Sequence, residues 1–174
     1  MNSTKKILIT FSFLSLFLFT NTGCHIYKFN DVSIPENIKT IRVQLIANKA
    51  RYVNPQLSPA LTEKLRQKIV SQTKLTQVSS ENADYDISGY ISQYDVSTSG
   101  ISAQQVATNR LTVGVSVTLV DRKNTDVQPK NISVSRSFDF SANVTLQQAE
   151  ASLKDEIIRN LTDEIFNQIF SDWK

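Results

Sequence analysis

The sequence predicts a two-layer α+β domain: a four-stranded mixed sheet with two helices on one face, in the order β-α-β-β-β-α. Two segments repeat apolar residues every four positions, Leu57-Leu61-Leu65-Ile69 and Leu153-Ile157-Leu161-Ile165-Ile169, as one-sided helices do. Four other segments alternate apolar and polar residues, the period of a half-buried strand. The last three of these are joined by linkers of about ten residues, which suits an antiparallel meander.

In chain order, Thr40 to Ile46 is the first strand, with Ile41, Val43 and Leu45 on its apolar face. Asn48 to Pro55 is a loop punctuated by Asn54-Pro55. Ser58 is placed to cap the first helix and Pro59 suits its first position. That helix ends between Ser71 and Lys74, and Leu75 to Val78 is a short extended piece. In the second strand Tyr85, Ile87, Gly89 and Ile91 share one face while Tyr90, Tyr94 and Val96 share the other, which a bulge or a change of facing near residue 92 reconciles. The third strand, Arg110 to Val120, puts Leu111, Val113, Val115, Val117 and Leu119 on one side. The fourth carries Ile132, Val134, Phe138 and Phe140, interrupted by Arg136, which marks an edge or a snorkelling position. Thr145 to Gln148 fits a capping box opening the last helix, which runs to about Asp172-Trp173.

Ahead of this domain lies a different kind of segment. Lys5-Lys6 precede a 13-residue apolar run, Ile7 to Phe19, followed by Asn21-Thr22-Gly23-Cys24. This is the anatomy of a secretory signal. The run is short of the roughly 20 residues a spanning helix needs. The organisation expected is a lipoprotein signal peptide over 1–23, a lipid-anchored leash over 24–37 and a single domain over 38–174. Gly23-Cys24 resembles the lipobox of bacterial lipoproteins, whose cysteine is acylated after the signal is cut; Asn21 departs from the aliphatic residue usual three positions earlier. The alternative is an ordinary secreted chain with Cys24 as a spectator thiol.

Composition narrows the chemistry. Cys24 is the only cysteine, so no intrachain disulfide can form, and a cysteine-rich zinc site is excluded. The whole chain has 19 basic and 16 acidic residues; without 1–23, which holds Lys5 and Lys6 and no acid, the balance is 17 against 16. A near-neutral domain gives no reason to expect nucleic acid. The only histidine, His25, sits beside the expected anchor, so a histidine-based triad or metal centre in the core is excluded. No glycine-rich phosphate loop occurs. Asp84 and Asp86 could share a metal or simply be solvated. The expectation is a non-enzymatic protein with no catalytic residue, metal or cofactor.

Two polar features remain. The polar sheet face is small and uncharged: Ser88, Ser92, Thr112, Ser116, Thr118, Ser133, Ser135 and Ser137, with Tyr90 and Tyr94. Such a face suits a wet protein–protein contact, or it reflects the strand propensity of hydroxyl residues. Basic residues gather in two loops, Lys49 and Arg51, then Arg122, Lys123 and Lys130. They are either ordinary solvated charges or contacts for phosphate groups.

From Cys24 to Trp173 the chain resembles the lipopolysaccharide-assembly lipoprotein family, LptE, in its Bacteroidetes-type form. The resemblance is carried by Gly23 to Phe29 (GCHIYKF), Ser33-Ile34-Pro35, Ile38 to Ile41, Asn48-Lys49-Ala50, Val53 to Ser58, Leu61 to Leu65, Ser71 to Leu75, Asn109 to Val113, and Glu164 to Asn167 with Trp173. It implies a sheet with two helices on one face. It also implies an anchor in the periplasmic side of the outer membrane, a plug role inside an LptD-type outer-membrane β-barrel whose assembly it aids, and binding of lipopolysaccharide. His25-Ile26 is not the aspartate-type signal for inner-membrane retention, and no acidic run of the surface-export type follows. Lys49, Arg51, Arg110 and Arg136 are candidate lipopolysaccharide contacts on the family's use of basic residues. Two other readings compete: a surface or periplasmic lipoprotein module that binds glycans or another protein, and a membrane-anchored hydrolase with carboxylates converging around Asp84 and Asp86.

Overall fold

A computed structural model describes residues 34–102 and 105–170. Its elements are β1 (Thr40–Val43), β2 (Ala47–Asn48), α1 (Leu57–Gln72), β3 (Thr76–Gln77), β4 (Tyr85–Ser102), β5 (Gln105–Asp121), β6 (Lys130–Ser141) and α2 (Leu146–Phe170). They form an α+β domain with one mixed sheet in the order β3-β1-β4-β5-β6, β2 also pairing with β4. β1 is parallel to β3 and β4, with α1 making the crossover a parallel connection requires. β4, β5 and β6 are the expected antiparallel meander.

The sheet has six strands rather than four, and the reason lies in residues 44–46. Val43 pairs with Ile87 and Ala47 with Tyr90, so four steps on one strand match three on the other. The extra residue breaks the predicted first strand in two. Side chains of α1 take up the backbone groups this frees. The Val43 carbonyl accepts from Arg66 Nε at 3.2 Å and Nη2 at 2.7 Å. The Ile46 N–H donates to Thr62 Oγ1 at 3.0 Å, and Ser58 Oγ donates to the Ile46 carbonyl at 2.6 Å. The phase of the strand changes there. Ile46 is fully buried while Leu45, expected inside, is 60% exposed. The short extended piece after α1 becomes β3, pairing Thr40 with Thr76 and Ile41 with Gln77.

Ser58 therefore does not cap α1. The helix begins at Leu57 with Gln56 as an N-cap whose side chain makes no capping bond. Ser58 lies inside the first turn, its hydroxyl committed to Ile46. The second capping expectation holds: Gln148 N–H donates to Thr145 Oγ1 at 3.3 Å, and Thr145 N–H donates to Gln148 Oε1 at 3.0 Å. Asp172 and Trp173 lie outside the described residues.

One hydrophobic cluster joins both helices to one face of the sheet. It contains Leu57, Leu61, Leu65 and Ile69 of α1, Ile157, Leu161, Ile165 and Ile169 of α2, and Leu111 through Leu119 at odd positions of β5. The pairing of β4 with β5 shifts between Ile91 and Gln93, which is the expected bulge. It carries Tyr94 round to the core face, where it is 3% exposed, and leaves Tyr90 on the other face at 38%.

Two buried threonines give opposite expectations. Thr62 accepts from Ile46 and donates to the Ser58 carbonyl at 2.8 Å, whereas Thr162 Oγ1 is buried without a partner among the described residues. Thr62→Val removes an acceptor from a buried N–H and should cost about 1–3 kcal/mol. Thr162→Val deletes an unsatisfied hydroxyl at near-constant volume and should be neutral or stabilising. Urea unfolding midpoints of the two variants at equal slope check both expectations.

Candidate functional site

The sheet face away from the helices carries the polar side chains in cross-strand rows. β4, β5 and β6 align Ser88-Thr118-Asn131, then Tyr90-Ser116-Ser133, then Gln93-Gly114-Ser135. These three consecutive rows hold no charge. Thr118 Oγ1 donates to Asn131 Oδ1 at 2.8 Å, and in the next row along, Thr112 and Ser137 hydroxyls meet at 2.9 Å. The bulge leans over this surface, since a Cβ on Gly114 would come within 3.0 Å of the Gln93 Cβ and 3.2 Å of Ser92 Oγ. Glycine on β5 is what lets the bulged strand sit close. Beyond these rows Arg110 donates to both carboxylate oxygens of Asp139, at 2.7 and 2.9 Å. Tyr94 leaves the predicted polar set: its hydroxyl donates to Glu150 Oε1 of α2 at 2.7 Å, and its ring stacks on Tyr52 at 5.4 Å. Burial, then the neighbouring Glu150 carboxylate, raises its phenol above the ordinary value.

At the opposite end of the face lies an ionic network. Asp86 accepts from Arg42 Nε and Nη2, both at 2.9 Å, from Gln44 Nε2 at 3.1 and 3.2 Å, and from Arg122 Nη2 at 2.6 Å. The Arg42 guanidinium, ahead of its other partners, holds the Asp86 carboxyl far below the usual carboxylate range. Asp84 accepts the backbone N–H groups of Lys39 at 2.8 Å and Thr40 at 2.9 Å, and Lys123 Nζ lies 3.2 Å away. Those N–H bonds, Lys39 first, lower it to about 2. Both acids tie the start of β1 to β4 and to the turn after β5. No group of three or more His, Cys, Asp or Glu that could hold a metal occurs among the described residues.

The four candidate lipopolysaccharide contacts do not converge. Lys49 Nζ lies 4.7 Å over the Tyr90 ring, beside the uncharged rows. Arg110 is paired with Asp139 on the same face. Arg136 sits on the core side of β6 and pairs with Glu164 of α2, which explains how a charge interrupts that apolar row. Arg51 is exposed in the loop after β2, next to Tyr52. The second basic loop is engaged rather than free: Arg122 holds Asp86, Lys123 holds Asp84, and Lys130 Nζ donates to the Ile169 carbonyl at the end of α2, at 3.2 Å. The roles of Arg42, Gln44 and Arg66 had no separate signal in the sequence, where Arg42 and Gln44 read as the polar half of an alternation and Arg66 as the polar side of a helix. Cys24 and His25 lie outside the described residues.

The network sets an acid limit on the fold. Asp84 and Asp86 have folded values below the ordinary 3.8, so their stabilisation is present above that value and is lost as pH falls towards 2. Asp86→Asn should lower stability at pH 7 by about 1–3 kcal/mol. It should also flatten the loss between about pH 4 and 2. Urea midpoints of wild type and variant at pH 7 and pH 3 measure both effects.

The profile of the lipopolysaccharide-assembly family, LptE, matches residues 38–169. Among solved structures, a homologue of the neuraminyllactose-binding haemagglutinin from Helicobacter pylori is similar with TM-score 0.54 and 11% identity, over 83% of this chain and 92% of that one. A minor lipoprotein from Acinetobacter baumannii gives 0.46 and 18%, over 76% and 93%. Lipoprotein B from Nitrosomonas europaea gives 0.44 and 15%, over 76% and 79%. No curated protein sequence matches. A match over most of the chain, spanning every strand and both helices, assigns the family: the chain belongs to the lipopolysaccharide-assembly family, LptE.

Proposed function

We propose that this protein is the lipid-anchored, non-enzymatic component of the outer-membrane lipopolysaccharide translocon. In this reading it sits as a plug in an LptD-type β-barrel, aids its assembly and binds lipopolysaccharide in transit. Family membership supports the process, and the three uncharged rows of the sheet support the plug. The lumen of a large barrel is polar, so a body held inside it needs a surface that stays hydrated without burying unpaired charge. Ser88, Ser116, Ser133 and Ser135 with Tyr90 supply such a surface, and bridging waters can complete the contact. No helix among the described residues is long and apolar enough to cross a membrane. In this reading attachment is by acyl chains on Cys24 at the periplasmic side of the outer membrane, since two or more such chains hold a protein firmly.

The direct test is affinity purification of the C-terminally tagged full-length chain from native outer membranes in mild detergent, with intact-mass analysis. A stoichiometric β-barrel with bound lipopolysaccharide is expected. A lipidated protein that elutes alone across several detergents overturns the plug and favours an outward-facing module for glycans or another protein. The face itself is tested by Ser133→Glu and Ser135→Glu, made singly. Both positions are exposed, so each should change stability by no more than about 0.5 kcal/mol. They should nevertheless reduce barrel recovery several-fold, read from the same purification.

A further inference from the structure

The two edges of the sheet are finished differently. At the far edge the strands are short and broken: β3 covers only Thr40 and Ile41 of β1, and beyond it Ser58, Thr62 and Arg66 occupy the backbone groups freed at Val43 and Ile46. Proteins commonly protect edges in this way. β6 forms the other edge. It has 12 residues, no proline, and a register with β5 that runs without a shift from Thr108 opposite Ser141 to Leu119 opposite Lys130. No strand lies on its outer side among the described residues. An unbroken edge of that length presents a row of free N–H and C=O groups, the template for strand addition.

A groove of about 550 Å³ runs beside this edge, between β6 and the flank of α2. Its charged lining on the helix side is Glu156, Asp163 and Glu164 against Arg136, while Asp139 borders it from the far face. Lys68 reaches Asp163 at 2.9 Å, Arg136 reaches Glu164 and Arg110 reaches Asp139, while Glu156 has no ion pair among the described residues. Side chains on the helix side of an added strand would hang over this carboxylate-rich flank.

We propose that β6 takes up an extended segment of a partner protein as a further strand, and that the segment carries Lys or Arg at the alternate positions facing α2. Backbone hydrogen bonds supply the attachment, and the groove selects the charge. A second copy of this chain fits less well, because two-fold pairing of β6 with itself sets carboxylate-lined flanks against each other. The proposal does not depend on the translocon reading, since it rests on the edge and the groove alone.

The test uses the full-length protein in non-ionic detergent and a synthetic ten-residue peptide of alternating Lys and Val. Amide hydrogen exchange by mass spectrometry should show new protection over 130–141. The protection should vanish when alternate peptide amides are N-methylated, and it should weaken when Glu replaces Lys or salt is raised. Glu156→Gln should weaken peptide binding about two- to fivefold. Unchanged exchange over 130–141, protection confined to residues 40–48, or equal protection by the N-methylated peptide overturns the proposal. Protection of β6 that grows with protein concentration in the absence of peptide overturns the choice of occupant, because a second copy is then on the edge.

Discussion

Leu111, Val113, Val115, Val117 and Leu119 make one side of β5 an aliphatic strip almost without solvent contact, and the rest of the domain is arranged to keep it so. Burial of apolar area stabilises by roughly 25 cal/mol per Å², so a strip this long needs a cover that spans it. α1 and α2 provide that cover by turning one stripe each towards the sheet and packing side by side. Period two in the strand and period four in the helices are two geometries of the same demand. The bulge at Ser92 serves it too, because it brings Tyr94 over the core at the point where the strand would otherwise turn a smaller residue inward.

Covering one face leaves the edges and the far face to be handled by polar chemistry. The break between β1 and β2 is stabilised by α1 reaching across with two hydroxyls and a guanidinium. This joins helix to sheet by hydrogen bonds as well as by apolar contact. Asp84 and Asp86 do the corresponding work at the base of the sheet, where strands from distant parts of the chain begin. Each carboxylate accepts from several donors and so remains ionised, which makes both of them fasteners of the fold rather than proton carriers.

The far face combines low charge with many hydroxyls. Arg42 and Arg122 share Asp86 at one end, and Arg110 pairs with Asp139 at the other. Between them three rows are polar and uncharged, with Lys49 over Tyr90 and Asp95 in the row after Gln93 as the charges beside them. A surface of that kind tolerates a close, hydrated neighbour better than a charged one does, because no ion has to be stripped of water.

Much of this was legible in the sequence because it depends on neighbours a few residues apart. The helix stripes, the alternation of β5 and β6, the Thr145–Gln148 capping box and the need for a bulge near residue 92 are all short-range patterns. So was the oddity of Arg136, although its partner Glu164 was not. The sequence did not distinguish Leu45 from Ile46, because the phase of β1 is set by an extra residue whose backbone groups are held by a helix 12 to 23 positions away. Ser58 had the right place for a cap, yet the buried Ile46 carbonyl between β1 and β2 offers its hydroxyl a stronger claim than the helix end, where water can substitute. Tyr94 had the polar-face parity and went inside, because the bulge shifts every later residue by one. Asp84 and Asp86 read as a metal pair or as solvated acids, and Arg122 as a loop charge, until the sheet brought them together. Periodicity and local caps are written along the chain, whereas strand phase and the pairing of distant charges are decided only when the sheet closes, because the groups that settle them are strangers in sequence.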